Sequence, residues 1–406
     1  MVTFVDSPSK LASCIEQLRA VEAIAIDTEF VRESTFFPKL ALVQCATVDS
    51  VWLLDPLAFS REQLDPFLTL LQDPQKLKIL HAAYADQEVF YVAYGFVLSP
   101  VLDTSVAAAL LGMGENIGLA KVVKEVLGAD VKKGQARVHW LERPLAPSLL
   151  EYAANDVRYL PLLCQRLRGI LEKKKRWEWA LVASQGTHEA FERSAREWLE
   201  KLDPSRSLAS DSAAVLLELL EWRENEIRRR DIPRSWLIDN DTLVAIARVL
   251  PKRQEELMRF RGIKKGRAQD AAQIIACIQR GLSRREQLKR PARVVVDTEI
   301  PAGTQHLVQS CLRVLAERYE VAPSYLIPSD KLSQLVRRRH EGPSAWVDAH
   351  LLNPWAASLI GPELHAFLRG EFALGLQEQN PLPYFIRLEK EAENNSPHSK
   401  EGDKVP

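Results

Sequence analysis

The chain has 406 residues, 46% hydrophobic and 27% charged, and its 54 basic and 54 acidic side chains cancel at pH 7. That length holds two or three domains with real cores; the composition is that of a soluble globular protein, and no apolar run approaches the ~20 residues of a membrane span. The N-terminus lacks a basic segment followed by a long apolar one, so no secretion signal is read there, and the scattered Cys14, Cys45, Cys164, Cys277 and Cys311 argue for a reducing cytoplasm and against a zinc ribbon or disulfide framework. In chain order, 24–26, 40–45, 51–54 and 77–80 read as short strands. The apolar spacing then becomes helical over about 86–95, 103–112, 118–128 and 147–183. A linker with Asp203-Pro-Ser-Arg-Ser207 follows, and 216–280 reads as all helical. Ser235-Trp-Leu-Ile-Asp-Asn-Asp241-Thr-Leu243 recurs as Ser324-Tyr-Leu-Ile-Pro-Ser-Asp330-Lys-Leu332, a shift of 89 residues that makes 300–378 a divergent second copy. The tail after Leu388, rich in Glu, Lys, Asn and Ser, reads as disordered.

The chemistry starts at Asp27-Thr28-Glu29, which closes the apolar run Ala23-Ile-Ala-Ile26. Residues i and i+2 of a strand share a face, so Asp27 and Glu29 project together. Paired carboxylates repel, and a hard divalent cation with oxygen ligands is their natural partner. The plainer alternative is one capping carboxylate and one solvated one. Asp86 opens the helical pattern behind the 77–80 strand, where an ordinary N-cap is the competing reading. Tyr152 and Asp156 stand at i and i+4 on one helix face, a spacing also met in plain surface contacts.

Taken in order, Asp27-Thr-Glu-Phe, Asp86 before Glu-Val-Phe, and Tyr152-x-x-x-Asp156 resemble the Tyr-containing branch of the DEDD exonucleases, specifically the ribonuclease D family. Thr35, Pro38, Leu40, Gln44, Asp103-Thr104, Gly118-Leu-Ala120 and Trp140-Leu-Glu-Arg-Pro-Leu145 also keep the family's pattern. Residues 216–280, with Trp222-Arg223, Pro233 and Gly262, are similar to an HRDC domain. The resemblance implies an α/β, ribonuclease-H-like exonuclease domain over 1–200. Two all-α HRDC-type domains follow, over 211–290 and a divergent 300–380, with a disordered tail at 388–406. The chain departs from the family just before Trp140, where Val138-His139 replaces a Ser/Thr followed by Asp/Asn. That substitution leaves the metal ligands untouched and bears on substrate preference; His139 is read as a loop residue.

What the family implies is two-metal phosphodiester hydrolysis with Mg²⁺ or Mn²⁺. Asp27 would bridge the ions, Glu29 and Asp156 would complete the site of the ion holding the attacking water, Asp86 would hold the second ion, and Tyr152 would orient the water. The expected substrate is RNA, namely tRNA precursors and other small structured RNA 3′ ends, for a cytoplasmic monomer with no obligate protein partner. The alternatives are a DNA exonuclease of repair and a non-catalytic nucleic-acid-binding module. Lys133, Arg137 and Trp140 in the loop before the Tyr152 helix, and Arg261, Lys264, Lys265 and Arg267 in a basic stripe, are the candidate RNA contacts. That stripe spans 259–293, and within it only Asp270 and Glu286 oppose eleven basic residues.

Overall fold

The computed structural model describes residues 1–131, 139–185, 191–204, 206–263, 268–288, 300–377 and 380–388. They cluster into two units, 1–107 with 118–297, and 108–117 with 298–406. Residues 108–117, inside the first expected domain, thus pack with the second unit.

The first unit opens with a mixed sheet of β1 (Val2–Val5), β2 (Ala23–Val31), β3 (Lys39–Ala46), β4 (Val51–Leu54), β5 (Leu77–Leu80) and β6 (Val101–Asp103). Its order is β1-β4-β3-β2-β5-β6. β2 runs antiparallel to β3 and parallel to β5, which pairs parallel with β6. Ile24, Ala25 and Ile26 are all fully buried, as expected of a central strand covered on both faces. The helices are α1 (Pro8–Arg19), α2 (Arg61–Leu71), α3 (Tyr84–Tyr94), α4 (Thr104–Ala109), α5 (Leu119–Leu127), α6 (Pro147–Arg158), α7 (Leu160–Lys173) and α8 (Trp177–Ser184). α6 lies against β2, β3 and β4.

Three sequence expectations change here. The 147–183 helix is three helices: Pro161 starts the second, since a proline is tolerated in a first turn but not in a helix interior, and a left-handed Lys175 separates the second from the third. Residues 101–103 form an edge strand before α4 begins, so 103–112 is not one helix. β1, α1 and α2 stand where no element was expected.

The same unit continues with α9 (Ala195–Leu202), α10 (Ser210–Arg230), α11 (Arg234–Leu237), α12 (Asn240–Val249), α13 (Gln254–Leu257) and α14 (Ala268–Ser283). α10 and α14 approach closely at Gly281, where a Cβ would come within 2.6 Å of the Val215 Cα. The Asp231 carboxylate accepts from the backbone N–H of Phe36 and of Phe37, each at 2.9 Å, and so ties this bundle to the segment after β2. The basic stripe is less naked than its local count implies. Arg280 and Arg284 both reach Glu218 at 3.0 Å, and Arg285 lies 3.6 Å from Asp211.

The second unit holds α15 (Ala302–Tyr319), α16 (Pro323–Leu326), α17 (Ser329–Arg337), α18 (Pro343–Asp348) and α19 (Pro354–Leu368). The sequence repeat is matched in form: α16 and α17 succeed α15 as α11 and α12 succeed α10, and each long helix ends on a left-handed residue, Glu320 or Asp231. This unit is not all helical. Phe372–Gln377 and Asn380–Arg387 form an antiparallel hairpin, β7 and β8.

Candidate active site

Asp27 and Glu29 sit on β2, and the ladder to β3 slips by one residue immediately after Glu29. An irregularity of this kind bends the ladder locally, and pairing resumes at Phe30 opposite Leu40. α6 brings in Asp156, and carboxylate oxygens of Asp27, Glu29 and Asp156 all lie within 4.8 Å of one another.

No cation answers these charges among the described groups that set their proton affinity. Burial, then the charges of Asp86, Asp156 and Glu29, raise Asp27 well above the ordinary carboxylate range. Burial and the charges of Asp156 and Asp86 push Glu29 up to about 8. Burial lifts Asp156 to about 6, with the Tyr152 hydroxyl pulling the other way. Like charges this close cannot all ionise unless something positive joins them.

Asp86 stands on the first turn of α3, whose N-cap is Ala83, so it does not cap that helix. It is buried and accepts a hydrogen bond from the Thr28 hydroxyl. Burial nevertheless raises it to about 6. Thr28, the middle residue of the Asp-Thr-Glu run, is therefore the tether that holds Asp86 beside β2. Asp103 fixes the turn ahead of α3 by accepting from the N–H of Ala82 at 2.9 Å and of Ala83 at 2.8 Å.

Tyr152 is raised above its ordinary value by burial and by the charges of Asp156, Glu29 and Asp27, so its hydroxyl keeps its proton at neutral pH. Its ring lies 6.2 Å from that of Trp140. Trp140, expected to contact RNA, is buried: it packs against the Tyr152 ring and is no open stacking platform. Behind it, Arg143 uses all five of its N–H donors. Two go to Asp55 at 2.6 and 2.7 Å, and the others to the carbonyls of Ala41, Trp140 and Glu142.

Gln44 pairs with Asp27 across the ladder and is fully buried, yet neither atom of its amide has a partner. His139 is exposed, as expected of a loop residue, and so is Arg261. Lys133, Arg137, Lys264, Lys265 and Arg267 lie outside the described residues. Sequence reasoning named Thr28 and Gln44 only as parts of motifs. The Arg143–Asp55 fork joins residues 88 apart and had no local signal.

A 3′-5′ exonuclease family matches residues 2–172, and an HRDC domain family matches 212–278. Ribonuclease D of Nitrobacter hamburgensis is 31% identical over 381 residues, covering 92% of this chain and 97% of the relative. The chain belongs to the ribonuclease D family. Ribonuclease D of Pseudomonas paraeruginosa is 37% identical over 258 residues, 63% of this chain and 68% of the relative. Among solved structures, Escherichia coli RNase D, described as an exoribonuclease involved in structured RNA processing, superposes with a TM-score of 0.74. It is 26% identical, and the match covers 90% of this chain and 98% of that one. Ribonuclease D enzymes are metal-dependent 3′-5′ exoribonucleases, and membership makes this chain one. No helix among the described residues is long and apolar enough to cross a membrane.

Proposed function

We propose that this ribonuclease D trims the 3′ ends of tRNA precursors and other small structured RNAs, releasing 5′-phosphomononucleotides. In this reading Asp27, Glu29, Asp86 and Asp156 hold two divalent ions, Mg²⁺ or Mn²⁺. The single observation behind it is the crowding of Asp27, Glu29 and Asp156, which has no basic partner among the described residues and, with burial, holds Glu29 up at about 8. An all-carboxylate donor set suits a hard ion and not zinc. When bound, divalent ions supply charge relief at the phosphate and the leaving 3′-oxygen, and a lower pKa for the attacking water.

The protein side of the reaction falls to a few residues. Asp27 faces the other acids from the middle of the sheet, where the rigid strand fixes its position. Thr28 aims Asp86. Tyr152, kept neutral by its acidic neighbours, is not the base; its hydroxyl orients the attacking water at Asp156. Trp140 backs the Tyr152 ring and keeps it from swinging. The tandem helical modules, placed at 211–290 and 300–380, present structured RNA to this site, and the protein works as a cytoplasmic monomer.

The test is a 5′-labelled tRNA precursor with a 3′ extension, set beside single-stranded DNA of the same length, with Mg²⁺, Mn²⁺ or EDTA. A metal-dependent ladder shortening from the 3′ end on RNA alone is the expected result. Equal ladders on DNA would transfer the activity to DNA repair, and binding of both without cleavage would leave a binding module.

A further inference from the structure

A cavity of the first unit is lined from α3, which carries Asp86, and from the segment just after β2, which carries Asp27 and Glu29. It encloses about 650 Å³ between α3, the segment just after β2, residues 191–193 and the start of the helical bundle. Arg32 enters it three residues beyond Glu29, and Tyr84 and Glu88 enter it from the turns of α3 that flank Asp86. The Asp231 clasp fixes the distance between its walls.

Its walls alternate aromatic rings with guanidinium groups. Arg193 lies 5.0 Å from the Trp198 ring, and Arg228 lies 5.5 Å from that of Phe36. Two other arginines on the walls are neutralised: Arg32 pairs with Glu88 and Arg234 with Glu224, each at 2.8 Å. Arg193 and Arg228 form no salt bridge among the described residues, although Glu197, lowered first by its hydrogen bonds from Ser194, also feels the Arg193 charge; both arginines also line a smaller adjoining cavity. Of the remaining acids on the walls, Glu192 accepts from the Tyr91 hydroxyl at 2.7 Å, while Glu33 is exposed. Tyr84 is 62% exposed, and its ring lies 5.1 Å from that of Phe191.

This is a cleft open to solvent, and it carries two arginines that form no salt bridge among the described residues, a setting that suits an anionic ligand. Guanidinium groups pre-stacked on rings match a phosphate diester, and an exposed tyrosine matches the face of a base. We propose that this cavity is a subsite for the single-stranded RNA upstream of the two terminal nucleotides, with a phosphate on Arg193 and Arg228 and a base on Tyr84. The inference rests on the exoribonuclease reading and deepens it, because it assigns the path by which the strand reaches the acids.

The test compares the wild type with R193Q/R228Q, R193K/R228K and Y84A on oligoribonucleotides of two and eight residues, in the full-length protein. For the eight-residue strand, R193Q/R228Q raises KM about tenfold with kcat unchanged, and the slope of log KM against log salt falls by about 1–2. Y84A raises KM for that strand about tenfold, R193K/R228K recovers the salt slope but only part of the KM because lysine lacks the planar group that stacks on the rings, and turnover of the two-residue substrate stays within about twofold for every variant. Equal losses on both lengths, or no loss on either, overturn the proposal. Binding of the same labelled strands in EDTA is measured in parallel: unchanged affinity in R193Q/R228Q overturns the subsite even if no cleavage is seen. Absence of wild-type cleavage, by contrast, counts against the exoribonuclease reading alone.

Discussion

Two acidic regions of this molecule, a few strands apart, have opposite fates. At Asp55 a carboxylate at the end of β4 meets the Arg143 fork, and every N–H of that guanidinium is taken. At Asp27, Glu29 and Asp156 three carboxylates meet one another and, among the described residues, no base. The first arrangement is complete and holds the loop that carries Trp140. The second is incomplete in the protein alone, and its protons stay on at pH values where carboxylates ordinarily lose them. A buried charge that is satisfied serves structure; a cluster left unsatisfied calls for a ligand.

Substitutions should separate the two regions. Asp27→Asn should lower turnover on the order of 10³-fold or more while leaving the circular dichroism spectrum and EDTA melting temperature intact or improved, since it relieves repulsion. A variant still cleaving at the wild-type rate would remove Asp27 from the chemistry. Arg143→Met should do the reverse. It strands Asp55 and three carbonyls, so urea unfolding should show a loss of about 3 kcal/mol, whereas the folded fraction should keep turning over within about tenfold. A stable but inactive Arg143→Met protein would erase the distinction.

Tyr152→Phe should slow single-turnover hydrolysis by about 10–100-fold without weakening RNA binding, because the ring and its packing on Trp140 remain. An unchanged rate would reduce Tyr152 to packing.

The smallest effect is on stability against pH in EDTA. Raised folded-state carboxylate pKa values mean that the native protein binds more protons than the unfolded chain between about pH 4 and 8. Stability must therefore fall as pH rises through that window, and the melting temperature should drop by on the order of 5 °C from pH 5 to pH 8. Mg²⁺ should restore more of it at pH 8 than at pH 5. A flat EDTA profile for the wild type, or the same slope in Asp27→Asn, would contradict the assignment.

The sequence made the site legible because its acids lie in short, ordered motifs. Period-two patterning placed Asp27 and Glu29 on one face, and helical spacing placed Tyr152 over Asp156. It also showed the repeat that returns as α11–α12 and α16–α17. Local elements with weaker patterning escaped, although signals were present: Pro8 at the start of α1, and the Ser60–Gln63 capping box ahead of α2. β6 escaped because the three residues Val101, Leu102 and Asp103 are too few to carry a period. The rest was tertiary by nature. Thr28 finds Asp86 across 58 residues, and Glu218 neutralises Arg280 and Arg284 from another helix. That pairing is why a basic stripe counted along the chain overstates the charge left for RNA.

The central claim is that the unsatisfied carboxylates form a divalent cation site, and calorimetric titration of Mn²⁺ into the metal-free protein tests it most directly. At pH 7.5 the account predicts two ions bound per chain with release of protons, and loss of that binding in Asp27→Asn but not in Arg143→Lys. Absence of binding to the wild type, or equal binding to Asp27→Asn, would contradict it.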